Sequence, residues 1–226
     1  ISADWRPVHR FQRSDADPQD SLPALLVETY RGARAPRQGD PAISRRAQGL
    51  AEHLAWTGEH ADRIARALNL PDPYRAMLVA AAEAHDLGKN RREWQDAMNA
   101  HRDGRPYAKT LGGGNPRQLN GYRHEFGSLG DMEQRPALQA LPDDLRDLAL
   151  HLVASHHGHA RPLIAAIDPI APPYTLGPRA QAAALRYARL QRRWGPWGLA
   201  WWEAVFRAAD QGASRQLDTL TQQEVR

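Results

Sequence analysis

The 226-residue chain contains no cysteine. Disulfides, thiolate metal sites and cysteine nucleophiles are therefore excluded. Any metal has to be held by imidazole and carboxylate, a donor set that suits Zn, Mn, Fe, Co or Ni. Lysine is nearly missing: among 30 basic residues all but Lys89 and Lys109 are arginine. No run approaches the ~18 consecutive apolar residues of a membrane span, and no secretory signal pattern is visible. The expected location is therefore cytoplasmic, with no membrane partner. The glycine run Gly112-Gly113-Gly114 is followed by Asn115-Pro116. A phosphate-binding P-loop would need Gly-Lys-Ser/Thr at that point. Strand-like alternation is lacking after residue 40, and no internal repeat is present.

What remains is an ordinary globular composition, 42% hydrophobic and 25% charged, sufficient for a buried core. The formal charge of +4 and a sequence pI near 9.7 tilt towards a polyanionic partner. The same values also follow from a general excess of Arg and Ala.

Residues 1–39 are rich in Pro, Arg, Asp and Gln without a sustained period and read as an N-terminal extension or linker. The segment from Leu22 to Tyr30 suits one short strand. From residue 40 the pattern is helical. Asp40-Pro41 is a helix-start signal, and Ile43, Ala47, Leu50, Leu54, Ala61, Ile64, Ala65 and Leu68 follow at helical spacing. Asp72-Pro73 opens a second helix that is expected to stop at Gly88. Shorter helices are expected over Arg91 to His101 and His124 to Gln134, and another starts at Pro142 and ends before Gly158. Residues 102–121 and 158–178 read as loops. The last two helices run from Pro178 to Trp194 and onward from Pro196. The expected fold is all-α, a helical bundle with long loops occupying residues 40–226.

The 10 histidines are informatively placed. His85-Asp86 lies in Ala84-His85-Asp86-Leu87-Gly88-Lys89, and His156-His157 in Ser155-His156-His157-Gly158. Each pair falls at the expected end of an apolar helix, where unpaired carbonyls and the negative end of the dipole gather. His53 lies on the first helix and His124 opens a later one within Arg123-His124-Glu125. Asp210 lies on the apolar side of the last helix, where an acid needs a cation or an arginine beside it. Asp86, with an oxygen for each side, is suited to bridging two ions.

This order of residues resembles the HD superfamily, and within it the HD nuclease domain of the CRISPR type I effector nuclease-helicase. The elements that carry the resemblance are His53, His85-Asp86-x-Gly88-Lys89, Arg123-His124-Glu125 running to Ser128, His156-His157-Gly158, and Asp210 with Ser214. They span roughly residues 45–215. The resemblance implies two divalent metal ions, with Mn, Fe, Co or Ni favoured and Mg possible. His53, His85, Asp86 and Asp210 would hold one, and Asp86, His124, His156 and His157 the other. It further implies Asp86 and Lys89 as the catalytic pair, with Lys89 meeting a phosphate oxygen, and hydrolysis of single-stranded DNA in antiviral CRISPR interference. The implied partners are a helicase in cis or in trans and a CRISPR effector complex. In the commonest arrangement of that family the helicase follows the HD domain. Here residues 1–39 precede it and no helicase motif is present. A domain that stands alone, or that ends a helicase fusion, is therefore expected.

The competing reading is an HD phosphohydrolase acting on nucleotides or cyclic dinucleotides. The Gly-Tyr-Pro usual in cyclic-dinucleotide enzymes is lacking after His157-Gly158. The additional His124, His156 and His157 would be surplus for a simple nucleotide hydrolase. A non-catalytic recruitment domain is the third reading. Arg91, Arg92, Arg123 and Arg161 flank the ligands and are candidates for a nucleic-acid backbone groove. His9, His101 and His151 read as structural. His60, seven residues after His53, is the replacement if the first-helix ligand is misassigned, and His159 is a candidate substrate contact. Ser128 and Ser214 read as packing or supporting residues, and Trp94, Trp201 and Trp202 as core.

Overall fold

The structure is a computed structural model that describes the backbone of residues 5–11, 25–30, 43–44, 46–112 and 114–224, with side chains for 46–112 and 114–220. The chain divides into two units, Ile1–Gly39 and Asp40–Arg226. In the first, β1 (Trp5–Phe11) pairs antiparallel with β2 (Leu25–Tyr30), from Trp5 opposite Tyr30 to Phe11 opposite Leu25. The expected single strand thus has a partner. The register shifts between Pro7 and His9, because proline cannot donate to a ladder and is tolerated at such irregularities.

The second unit is mostly helical, as its periodicity predicts. It opens with β3 (Ile43–Ser44) and β4 (Gln48–Gly49), then α1 (Leu50–Ala67) and α2 (Asp72–Ala82). A 3₁₀ turn at Leu87–Lys89 leads to α3 (Arg92–Ala97) and β5 (Tyr107–Leu111). After a further 3₁₀ turn at Pro116–Leu119 come α4 (His124–Glu133), α5 (Pro136–Gln139), α6 (Asp143–Ser155) and α7 (Pro173–Glu224). Helix α7 is interrupted at Gly195, whose φ of 66° and ψ of 171° lie in a region open only to glycine. The expected break before Pro196 is there.

Three expectations are corrected. The first helix begins at Leu50 rather than at Asp40-Pro41, because Ile43–Ser44 pairs parallel and Gln48–Gly49 antiparallel with β5. The Leu50 amide donates to the Pro106 carbonyl at 2.8 Å, which ties the helix start to that ladder. Residues 102–121 are therefore not simply loop. Tyr107, Ala108, Lys109 and Thr110 are all buried, so this strand carries no alternation for a sequence reading to find. The loop after α6 is also shorter than expected, since α7 begins at Pro173.

The core is built by the apolar faces of α2, α4, α6 and α7. Met77, Leu78 and Ala81 meet Phe126, Leu129, Leu148, Leu152, Leu199, Trp202 and Phe206. Ala80, Ala81, Ala82 and Ala84 are all buried. A run of methyl-sized side chains lets neighbouring helices approach the end of α2 closely, and the residues after that end form the site. Truncating a buried aromatic such as Phe206 costs about 3–5 kcal/mol. The wall beneath the site is thus strongly specified.

Candidate metal centre

Helix α2 ends at Ala82, and His85 and Asp86 lie in the turn beyond it. Helix α6 likewise ends at Ser155, with His156 and His157 just past it. The two ends use one device. His85 Nδ1 lies 2.8 Å from the Ala82 carbonyl, and His156 Nδ1 lies 2.7 Å from the Val153 carbonyl. Each partner is one of the carbonyls that a helix terminus leaves without an intrahelical donor. Carbonyls only accept, so Nδ1 carries the proton and Nε2 presents a lone pair. His53, on α1, reaches the same state through the Gln48 side-chain oxygen, 3.2 Å from Nδ1.

The freed Nε2 atoms converge on Asp86, whose carboxylate divides them. Oδ2 faces His53 and His85, each at 3.4 Å, and the Lys89 ammonium at 2.8 Å. Oδ1 faces His124 at 3.1 Å and His156 at 3.6 Å. Asp210 Oδ1 joins the first side, 3.2 Å from His53 and 3.7 Å from His85. On the second side the Nε2 atoms of His124 and His156 stand 3.3 Å apart, and the His157 ring packs 4.1 Å from that of His156. Two groups of ligand atoms are close enough to hold an ion, one from Asp86, His124, His156 and His157, the other from His53, His85 and Asp86. Each residue of the expected ligand set lies at the site, with Asp210 at the edge of the second group.

Buried carboxylates at the site stay ionised among the imidazoles. Burial alone would push Asp86 upward, but His85, Lys89, His124 and His156 hold its carboxyl well below the usual range. Asp210 is likewise held down against burial by His53 and His85. Burial lowers His53, and it lowers His157 with help from His156 and His124, so both imidazoles stay neutral. His85 is pulled up against burial by Asp86 and Asp210. The buried His85 Nε2 and Asp86 Oδ1 make no hydrogen bond. Buried lone pairs facing one another without donors are costly. A divalent cation on each side of Asp86 fits this set of nitrogen and oxygen donors and satisfies the orphaned atoms.

The supporting residues are equally specific. Lys89 is buried, with its ammonium over the Trp94 ring at 5.2 Å. The Gly88 amide donates to Ser128 Oγ at 2.8 Å, and the Tyr122 hydroxyl donates to the Gly88 carbonyl at 2.6 Å. Gly88 is not the left-handed helix terminator that its place after an apolar run suggests. Among the described glycines with positive φ, Gly158 is present and Gly88 is absent. Gly88 is required instead by a close approach to α4. Gln48 and Glu125 are contributions that sequence reasoning missed. Gln48 sits ahead of the helix in a strand that pattern could not reveal. Glu125 enters the sequence reading only as part of the Arg-His-Glu stretch.

The flanking arginines separate in the structure. Arg91 is buried, and its guanidinium is committed to Asp131 at 2.9 Å and Asp168 at 3.0 Å, so it braces the loop although it borders a cleft. Arg161 pairs with Glu203, which also lies 2.7 Å from His151. Arg123 contacts His159. Arg92 is exposed beside Asp96. A cleft of about 440 Å³ is lined by Asn90, Arg91, Arg92, Gln95, Arg102 and Arg105 among others, and by none of the ligands. One of its lining residues, Gln95, donates to the Lys89 carbonyl at 2.7 Å. His60 bonds Gln216 at 2.9 Å and stands outside the ligand groups. Trp94 and Trp202 are core, whereas Trp201 is 43% exposed. His9 lies outside the residues with described side chains.

No protein family, curated protein or solved structure matches the chain. Among the described residues, no helix is long and apolar enough to cross a membrane.

Proposed function

We propose that the protein is an HD-type metal-dependent phosphodiesterase that cleaves single-stranded DNA, working with a helicase in CRISPR interference. One observation carries the reading. The two oxygens of Asp86 divide imidazoles from separate elements into two groups, with His53, His85 and Asp210 on one side and His124, His156 and His157 on the other. A nucleotide phosphohydrolase of the same superfamily needs only the first side. The second side is what a phosphodiester substrate would use.

Two divalent cations held there would supply Lewis-acid neutralisation of a phosphoryl group and make water a better nucleophile at neutral pH. The chain's own residues do the rest. Asp86 stays ionised and fixes the two sides relative to each other. The carbonyls of Ala82 and Val153 hold His85 and His156 in the tautomer that presents Nε2. Lys89 keeps its ammonium 2.8 Å from Asp86 Oδ2, where it can meet charge on a phosphate oxygen. The aromatic wall of Phe206, 5.8 Å from the His85 ring, excludes water from the back of the site and strengthens each of these interactions. The exposed Arg92 and Arg102, both beside Asp96, are the residues that would meet the backbone of a bound strand.

The test is incubation of Mn²⁺-loaded protein with circular single-stranded DNA, duplex DNA, RNA and a nucleotide panel, with Asp86→Ala as control. Degradation of the circle by wild type alone is the expected result. Hydrolysis confined to nucleotides would move the assignment to a phosphohydrolase, and inactivity with every metal would leave a binding domain.

A further inference from the structure

Glu125 is fully buried on α4 beside His124, and neither of its carboxylate oxygens has a hydrogen-bond partner. Burial of a carboxylate without donors is expensive, so its placement needs a reason. The basic atom beside it is His124 Nδ1, 3.4 Å from Oε2. His124 points its other nitrogen, Nε2, at Asp86 Oδ1. The His124 imidazole therefore lies between two acids, Glu125 on its Nδ1 side and Asp86 on its Nε2 side.

The other oriented imidazoles differ. His85 and His156 each lean on a backbone carbonyl, and His53 leans on the Gln48 amide oxygen. These partners are neutral. Oε2 stands at ion-pair distance from Nδ1 without yet making a hydrogen bond; closing that gap when a cation draws on Nε2 would fix the His124 tautomer and raise the basicity of the opposite nitrogen. The charges are then distributed evenly. Asp86 is shared, Asp210 adds a negative charge on the His53 and His85 side, and Glu125 adds one on the His124 side.

We propose that Glu125 is the positioning residue of the His124, His156 and His157 subsite, supplying through His124 the second negative charge that lets this side retain its own divalent cation. The inference rests on the metal-centre reading above and deepens it.

The experiment is calorimetric titration of the full chain with Mn²⁺, comparing wild type, Glu125→Gln, His124→Ala, Asp210→Asn and the Glu125→Gln/His124→Ala double variant. Wild type is expected to bind two ions. Glu125→Gln keeps the shape and should weaken one binding step by about 10–100-fold, leaving the other unchanged. That step should be the one removed by His124→Ala and not the one weakened by Asp210→Asn, and the double variant should match His124→Ala. Two wild-type steps untouched by Glu125→Gln, or both weakened alike, would overturn the role of Glu125 and leave the metal centre standing. No wild-type uptake at all would overturn the metal centre itself.

A second readout needs no variant. With Zn²⁺ bound, the His124 Nδ1 proton should resonate downfield of the carbonyl-bonded Nδ1 protons of His85 and His156. Coincident positions would show that no carboxylate holds it, and the proposal would be lost.

Discussion

A Cβ on Gly88 would lie 2.0 Å from the carbonyl oxygen of His124 and 2.8 Å from the Ser128 amide nitrogen. Both are backbone atoms of α4 and cannot move aside. The turn carrying Asp86 and the helix carrying His124 are therefore pressed together at Gly88, which packs beside Gly127 of α4. Gly88→Ala should force them apart, at a cost at or above the ~1–3 kcal/mol of ordinary overpacking. It should also abolish uptake on the His124 side. Gly158→Ala is the control: its φ is +88° with nothing near the added methyl, so it should cost only about 1–2 kcal/mol from the left-handed backbone. Thermal melts together with Mn²⁺ titration separate the two.

Asp86 and Asp210 should differ in kind. Asp86→Asn removes the shared ligand and should empty both sides, whereas Asp210→Asn should cost only the ion next to His53 and His85. Equilibrium dialysis followed by elemental analysis counts the ions directly. Equal stoichiometry in the two variants would contradict a shared carboxylate.

Metal should stabilise the fold without being needed to form it, because the apolar core of α2, α4, α6 and α7 lies beneath the site and does not depend on it. An ion at about 100 times its Kd adds about 2.7 kcal/mol per site. At roughly 2–4 °C per kcal/mol, one filled site should raise Tm by about 5–10 °C, and chelation should reverse the rise with helical circular dichroism retained. Loss of that signal on chelation would show that the core is insufficient.

Arg91 and Arg92 are neighbours with opposite expectations. Arg91 is 4% exposed between Asp131 and Asp168, and removing one member of a buried ion pair costs about 3–5 kcal/mol. Arg92→Ala should lie within about 0.5 kcal/mol of wild type. If the cleft tracks a nucleic-acid backbone, Arg92→Ala should also make single-stranded DNA binding less salt-dependent, lowering the log–log slope by about 0.7 for each phosphate that is no longer neutralised. Urea unfolding and salt-titrated binding assays measure the two effects.

The residues of the candidate site were legible because helix ends announce themselves. The apolar runs before His85-Asp86 and before His156-His157 each stop at a pair of potential metal ligands, and the spacing of Asp210 in α7 put an acid on an apolar face. Length, the missing cysteines and helical periodicity likewise set the class of fold. Other features have no local signal. Strand β5 is buried on both faces and shows no alternation, and its partners β3 and β4 are two residues each, so the true start of α1 was hidden. Whether an arginine braces a loop, as Arg91 does, or faces solvent, as Arg92 does, depends on where Asp131 and Asp168 arrive from distant segments. The sequence by itself determined which donors exist and which helices carry them. Only the tertiary structure decided that the two oxygens of Asp86 face different imidazoles and that a glycine is needed at 88 for steric rather than conformational reasons. Such facts depend on distances between segments far apart in the chain, which packing sets and local pattern does not encode.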